Sequence, residues 1–283
     1  MYLSSTLRGF LADPVEPSPV RERKAATHCA TQIFCDPVPD RLKVTAVAGV
    51  PFEYVAGDGM IDCPRGSALC RIASSQQNRA QLFKPGVLAA LTVFLIAMKN
   101  AGMSAGAILT GGSHVCRCVK GRATKTNTLS DHARAEAIDI HGIRWGSAGP
   151  SSTLGYTLLL NRQRDPADAV LLRRINACLR LGFPRVLDYH FNRAHEDHFH
   201  CDLNQGGQMS LGFATWGFVQ EVLGLPVDSA RAWKRRQHRR ASYARIIERL
   251  RLRPGATPGF DRNVEGIRHA LRALFLDVAS GRT

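Results

Sequence analysis

Apolar residues recur at three- and four-residue spacing from Val87 to Met98, through Leu88, Leu91, Phe94 and Leu95, with Pro85 near the start and Gly102 past the end. That period stacks the apolar side chains on one face and predicts a core-facing helix. A second helix is predicted from Asp165-Pro166, an N-cap residue followed by a first-turn proline. Its apolar face is Val170, Leu171, Ile175, Cys178 and Leu179, and Gly182 ends it. Two further helical stretches, 229–252 and 262–279, are separated by Pro254-Gly255 and Pro258-Gly259. Alternation marks strands at Ala107–Thr110, Ala135–Ile140, Arg185–Tyr189 and Asp197–Leu203, and two short ones between Leu42 and Val55 around Gly49-Val50-Pro51. Residues 57–80 read as loop. These elements predict an α+β fold: a small antiparallel sheet with packed helices. Residues 1–26 are expected to be a flexible arm, 27–226 the main domain and 227–283 a helical C-terminal segment.

Charge changes the picture only locally. The chain carries a formal +15. From Arg231 to Arg253 there are ten Lys or Arg against one acid, Glu248, so this stretch alone supplies +9 of the charge. An anionic partner, such as a wall polymer, is therefore expected only at the C-terminal segment. Only Trp233 and Tyr243 interleave these cations, so a dedicated nucleic-acid reader is not expected. No apolar run reaches the ~18 residues of a membrane span. Met1 to Val20 lacks the basic start and apolar run of a signal peptide. Eight cysteines without a CxxC pair nonetheless suggest an oxidising compartment and at least one disulfide, expected at Cys116 or Cys178.

Two segments carry candidate chemistry: Ser130-Asp-His132-Ala-Arg-Ala-Glu-Ala-Ile-Asp139 and His195-Glu-Asp-His198-Phe-His200. Four of the ten histidines fall between residues 190 and 200, a density that surface chance explains poorly. A hydrolytic zinc site takes three ligands from His, Asp or Glu and leaves one position for water. His132, Asp139 and His200 can supply that set. On a strand, Asp139 shares a face with Ala137 and Ala135, leaving room beside a metal, while Ile138 and Ile140 turn to the core. His198 shares the face of His200, and His132 comes in from the preceding loop.

The motif Ser-x-His-x-x-(small)-x-Ala-x-Asp followed by His-x-His resembles the zinc peptidase superfamily of lysostaphin, the D-Ala-D-Ala carboxypeptidases and the hedgehog fold. Leu129-Ser-Asp-His-Ala, Ala194-His-Glu-Asp-His-Phe-His, Cys116-Arg117 and Ala177-Cys178 resemble more closely the bacterial extensin-like C-terminal domain family, over residues 85–205. The resemblance implies a hedgehog or D,D-peptidase-like fold. It implies zinc on His132, Asp139 and His200, catalysis by Asp197 and His198, and substrate binding by Arg117 and Ser130. Cleavage of peptidoglycan peptides in the periplasm or outside the cell would follow. A non-catalytic zinc-binding module of the cell wall, or a polyanion-binding one, is the alternative. Two positions depart from the pattern: Ala135 stands where Gly is usual, and Asp197 where carboxypeptidase members carry the general-base Glu.

Overall fold

The structure, a computed structural model, describes residues 40–54, 61–62, 71–72, 76–77, 80–113, 130–145, 155–157, 166–195, 198–203, 207–251 and 264–282. The described strands are β1 (Leu42–Val44), β2 (Ala46–Val47), β3 (Val50–Tyr54), β4 (Ile61–Asp62), β5 (Arg71–Ile72), β6 (Gln76–Gln77), β7 (Gln81–Phe83), β8 (Ala105–Gly112), β9 (Ala137–Trp145), β10 (Gly155–Thr157), β11 (Arg185–Leu187) and β12 (Phe199–Asp202). The helices are α1 (Pro85–Asn100), α2 (Pro166–Gly182), α3 (Phe213–Val222), α4 (Ala230–Lys234), α5 (Arg236–Arg251) and α6 (Val264–Ala279). The expected α+β class is what the chain adopts.

The main sheet is larger than expected and mixed. Its order is β11-β12-β9-β8-β3-β2, with β10 added on β9 and β6 on β3. β3 and β8 run parallel, which the long α1 crossover between them allows; the pairs β8–β9, β9–β12 and β11–β12 are antiparallel. Where loop was expected over 57–80, the short strands β4, β5 and β6 appear.

β9 explains the layering. Ile138, Ile140 and Ile143 are fully buried in the core with Phe94, Met98, Ile175 and Leu179 of α1 and α2. Each such side chain contributes ~1.5–3 kcal/mol on burial. Asp139 alternates to the opposite face, and a register shift against β8 that passes over His141 returns Ile143 to the core side. α1 and α2 approach closely at Gly182, where any Cβ would meet the Ala90 carbonyl oxygen; the glycine therefore serves packing as well as helix termination.

α3 carries no periodic signal because it is covered all round: Ala214, Thr215, Trp216, Gly217, Phe218, Val219 and Gln220 are all buried. The C-terminal helices form where the pattern places them. α6 enters the same core through Ile267, Leu271, Leu274 and Phe275. Arg174 on α2 donates to the carbonyls of Ala279 (2.9 Å) and Ala101 (2.6 Å), a cation bridging two helix C-termini. Among the described residues no helix is long and apolar enough to cross a membrane.

The cysteine expectation fails at Cys178. Its thiol is free and buried, as is that of Cys201. Burial pushes the Cys178 thiol up to about 12, against a small opposing pull from Arg174, so it behaves as a small apolar side chain. Cys116 lies outside the described residues.

Candidate metal centre

Three short elements meet at one point. A turn over residues 131–135 carries His132, β9 carries Asp139, and β12 carries His200 directly opposite Asp139 in the antiparallel register. Ser130 is buried, and its Oγ accepts from the Ala133 amide at 3.1 Å, which holds the turn in the manner of a helix cap. The turn closes through Ala135, which adopts φ 55° and is fully buried. Its carbonyl accepts from the Lys84 amide at 2.9 Å. Ala135 therefore belongs to the turn, and the strand begins two residues later than its alternation suggests.

The facing atoms form a compact triangle. His132 Nε2 lies 3.1 Å from Asp139 Oδ1 and 3.1 Å from His200 Nδ1, and His200 Nδ1 lies 2.9 Å from Asp139 Oδ1. Ligands bound ~2.0–2.1 Å from a tetrahedral ion stand about 3.3 Å apart, so the triangle is of the right size for one. The outer nitrogens are spoken for. His132 Nδ1 is 3.1 Å from the Ser113 carbonyl, and His200 Nε2 is 3.1 Å from Asp202 Oδ2. A carbonyl can only accept, so the neutral His132 ring carries its hydrogen on Nδ1. The Asp202 carboxylate favours the corresponding tautomer of His200. Both inward nitrogens then present lone pairs to a third acceptor, Asp139. Three converging acceptors repel one another unless a cation or an extra proton sits among them. The donor set fits a metal ion.

Electrostatics agree with this geometry. Burial alone would raise the Asp139 carboxyl, but hydrogen bonds and charge from His132 and His200 hold it well below the usual range. Burial pulls the His200 imidazole down, and Asp139 and Asp202 outweigh it and lift it to about 9. In the absence of a cation, a proton is what relieves the crowding. Asp202 is fully buried and is kept ionised by His200 and by Arg185, whose Nε donates to it at 2.7 Å. Arg185 also reaches Asp131 at 2.7 Å, and Arg134 pairs with Asp131 as well. Asp131, His200 and Asp202 form a second carboxylate-rich group. Because guanidinium groups already neutralise both aspartates, it acts as a support for His200.

More imidazoles border the centre. His198 Nε2 is 3.7 Å from Asp139 Oδ1. The His198 ring neighbours those of His141 (5.0 Å) and His195 (5.3 Å). Burial lowers His195 to about 4, with His198 and His200 adding to the effect. The structure thus gathers His132, Asp139, His200 and His198, and sets Ser130 behind the turn. Arg117 and Asp197 lie outside the described residues. Sequence reasoning passed over His141, Ser113 and Asp202, and gave no role to His195 within its histidine cluster. His141 was within reach of the alternation rule, two residues beyond Asp139. The Ser113 carbonyl left no signal, because any residue type supplies one.

Fold and site together define an α+β domain with a two-histidine, one-aspartate donor set on the sheet face opposite its helical core. Residues 86–211 match the family model described as Extensin-like protein C-terminus, a span that contains every described residue of that set. No curated protein and no solved structure matches the chain.

Proposed function

We propose that this chain is a zinc-dependent peptidase that hydrolyses peptide bonds of bacterial peptidoglycan, as a D,D-carboxypeptidase or an endopeptidase working outside the cytoplasm. The observation that carries the reading is the triangle of His132 Nε2, Asp139 Oδ1 and His200 Nδ1, within a segment similar to the extensin-like family. Bound zinc would lower the pKa of a water ligand to ~7 and polarise the scissile carbonyl. The chain's own residues do the rest. Asp139 brings the negative charge, and Ser113 and Asp202 fix the tautomers of the two histidines. Asp197 is the general base, since a carboxylate accepts a proton at neutral pH without first losing one. His198 donates from Nε2 to the developing oxyanion. Arg117 would pair with a terminal substrate carboxylate through two parallel hydrogen bonds.

The test is metal analysis of the purified chain, followed by mass spectrometry of muropeptides incubated with it. One zinc per chain is expected, lost in His132→Ala and His200→Ala. Asp197→Asn should retain zinc and lose ~100- to 10,000-fold in rate, with His198→Ala less impaired. Wild type without zinc after reconstitution sinks the reading. Zinc without cleavage of any muropeptide leaves the non-catalytic zinc module in its place. A second contact is favoured by α4 and α5, where Lys234, Arg235, Arg239, Arg240, Arg245 and Arg249 are exposed beside the acid Glu248. That face suits an anionic wall polymer.

A further inference from the structure

β9 and β12 pair with His200 opposite Asp139 and Phe199 opposite Ile140. His198 stands one residue before β12, and His141 follows Ile140, the last paired residue of this ladder on β9. His198 Nε2 lies 3.7 Å from Asp139 Oδ1, so the His198 ring is on the side of the sheet that carries Asp139 and His200. The two rings are stacked, with centroids 5.0 Å apart and planes at 30°. On the other flank of β9, the register with β8 shifts between Leu109 and Thr110, where the ladder passes over His141, and again between Thr110 and Gly112, where it passes over Gly111. This brings Gly111 under the His141 ring, so that an added Cβ would lie 2.5 Å from His141 Nε2. No side chain at position 111 is compatible with the ring where it stands. Glycine here answers a demand for space.

We infer that His141 is a positioning residue for His198: its stacked ring sets the plane and reach of the His198 imidazole beside the metal-ligand set, and Gly111 provides the room. His198 stands just before β12, which begins at Phe199, and a histidine ring turns through a broad torsional well about its last bond. Lateral stacking narrows that well, as aromatic pairs do. The inference rests on the peptidase reading for what His198 does to a substrate, but the positioning concerns two rings and a glycine and can be read without turnover.

The experiment uses the full chain, zinc-loaded, in the variants His141→Ala, His141→Phe, Gly111→Ala and the double variant Gly111→Ala/His141→Ala. Nitrogen-detected NMR of the His198 imidazole is the first readout; kcat and KM on a muropeptide are the second. His141→Ala and Gly111→Ala should each shift the His198 ring resonances and lower kcat about 10-fold, with KM within about twofold and zinc content unchanged, because a misplacement of even 1 Å at a reacting group costs up to about 100-fold. His141→Phe, which keeps a flat ring, should restore most of both. The double variant should be no worse than His141→Ala, since Gly111 matters only while a ring lies over it. His198 resonances unmoved in His141→Ala, or no rescue by phenylalanine, would overturn the inference. If Gly111→Ala does not fold, the alanine and phenylalanine variants at position 141 decide alone. If the wild type binds no zinc, the peptidase reading fails, and the same ring comparison on the metal-free chain still decides the positioning.

Discussion

At the scale of single residues, the turn that delivers His132 depends on Ala135. A left-handed conformation costs an L-residue ~1–2 kcal/mol, and the position is fully buried between His132 and β9. The backbone there is held by the Ala135 amide donating to the His132 carbonyl (3.1 Å) and the Lys84 amide donating to the Ala135 carbonyl (2.9 Å). A β-branched side chain would add both strain and overpacking. Ala135→Val should lose about 2 kcal/mol or more in equilibrium denaturation and weaken the proposed zinc binding in a competition titration. Ala135→Gly relieves the backbone but gives up a buried methyl, and should stay within about 1 kcal/mol of wild type. Equal destabilisation by both would show that volume, and not backbone conformation, governs the turn.

At the scale of elements, the segment after β11 is clamped between α2 and α3. Asp188 accepts from Asn176 Nδ2 (2.8 Å) and Arg180 (2.7 Å) on α2. His190 stands between Asp188 Oδ1 and Glu221 Oε2, 3.1 Å from each. Glu221 accepts from the Tyr189 hydroxyl and faces Arg173 at 3.6 Å. Gly217 on α3 leaves the space, since a Cβ there would lie 2.8 Å from that of His190. Burial pulls His190 down, but Asp188 and Glu221 outweigh it and lift it from 6.5 to about 9. A folded-state value above the unfolded one means stability that is complete below pH 6.5 and drains away as pH rises through about 9. Asp188 works the other way: Arg180 and His190 hold it well below 3.8 despite burial, so its contribution is lost on acidification. Denaturation midpoints should therefore fall between pH 7 and 10 (about the range where His190 titrates), and His190→Gln should flatten that limb while lowering the plateau. A wild-type midpoint constant over the range would mean that His190 is neutral in the fold. Gly217→Ala should destabilise by ~1–3 kcal/mol, read in the same titrations.

At the scale of the whole molecule, the basic C-terminal segment has two characters. Lys234, Arg235, Arg239, Arg240, Arg245 and Arg249 are exposed, while Trp233, Ile246, Ile247 and Leu250 turn inward. Asp228 ties it to α3, accepting from Gln220 Nε2 at 2.8 Å and meeting His238 Nε2 at 2.6 Å. α6 is fully integrated: Phe275 packs on Phe218 of α3 with ring centroids 5.7 Å apart. Leu271, Leu274 and Phe275 have no exposed surface. Removing one such side chain costs ~2–5 kcal/mol, and removing the helix exposes all of them and the faces they cover. A chain ending near residue 260 should therefore melt at much lower temperature or fail to fold, as followed by circular dichroism. Replacing Arg239, Arg240 and Arg249 with Gln should leave the melting temperature nearly unchanged and weaken retention on an anionic polymer. Added salt should abolish that difference, because exposed charges are screened over ~10 Å at 0.1 M.

What the sequence determined by itself is what local periodicity and local motif can express. A 3.6-residue repeat marked α1 and α2, because an amphipathic helix shows its one buried face in the order of its residues, and Pro-Gly pairs set off the C-terminal helices. The residue types and clustering of His132, Asp139 and His200 named a candidate metal-holding set, because ligand chemistry demands those side chains wherever they fall. Tertiary structure decided the rest. α3 was illegible because a helix buried on every side leaves no polar stripe to read. The β8–β9–β12 register brought together residues far apart in the chain, placing His141 on His198 and Asp202 behind His200. Such pairings depend on which strands meet and where they bulge, and a one-residue slip would turn every one of those side chains to the other face.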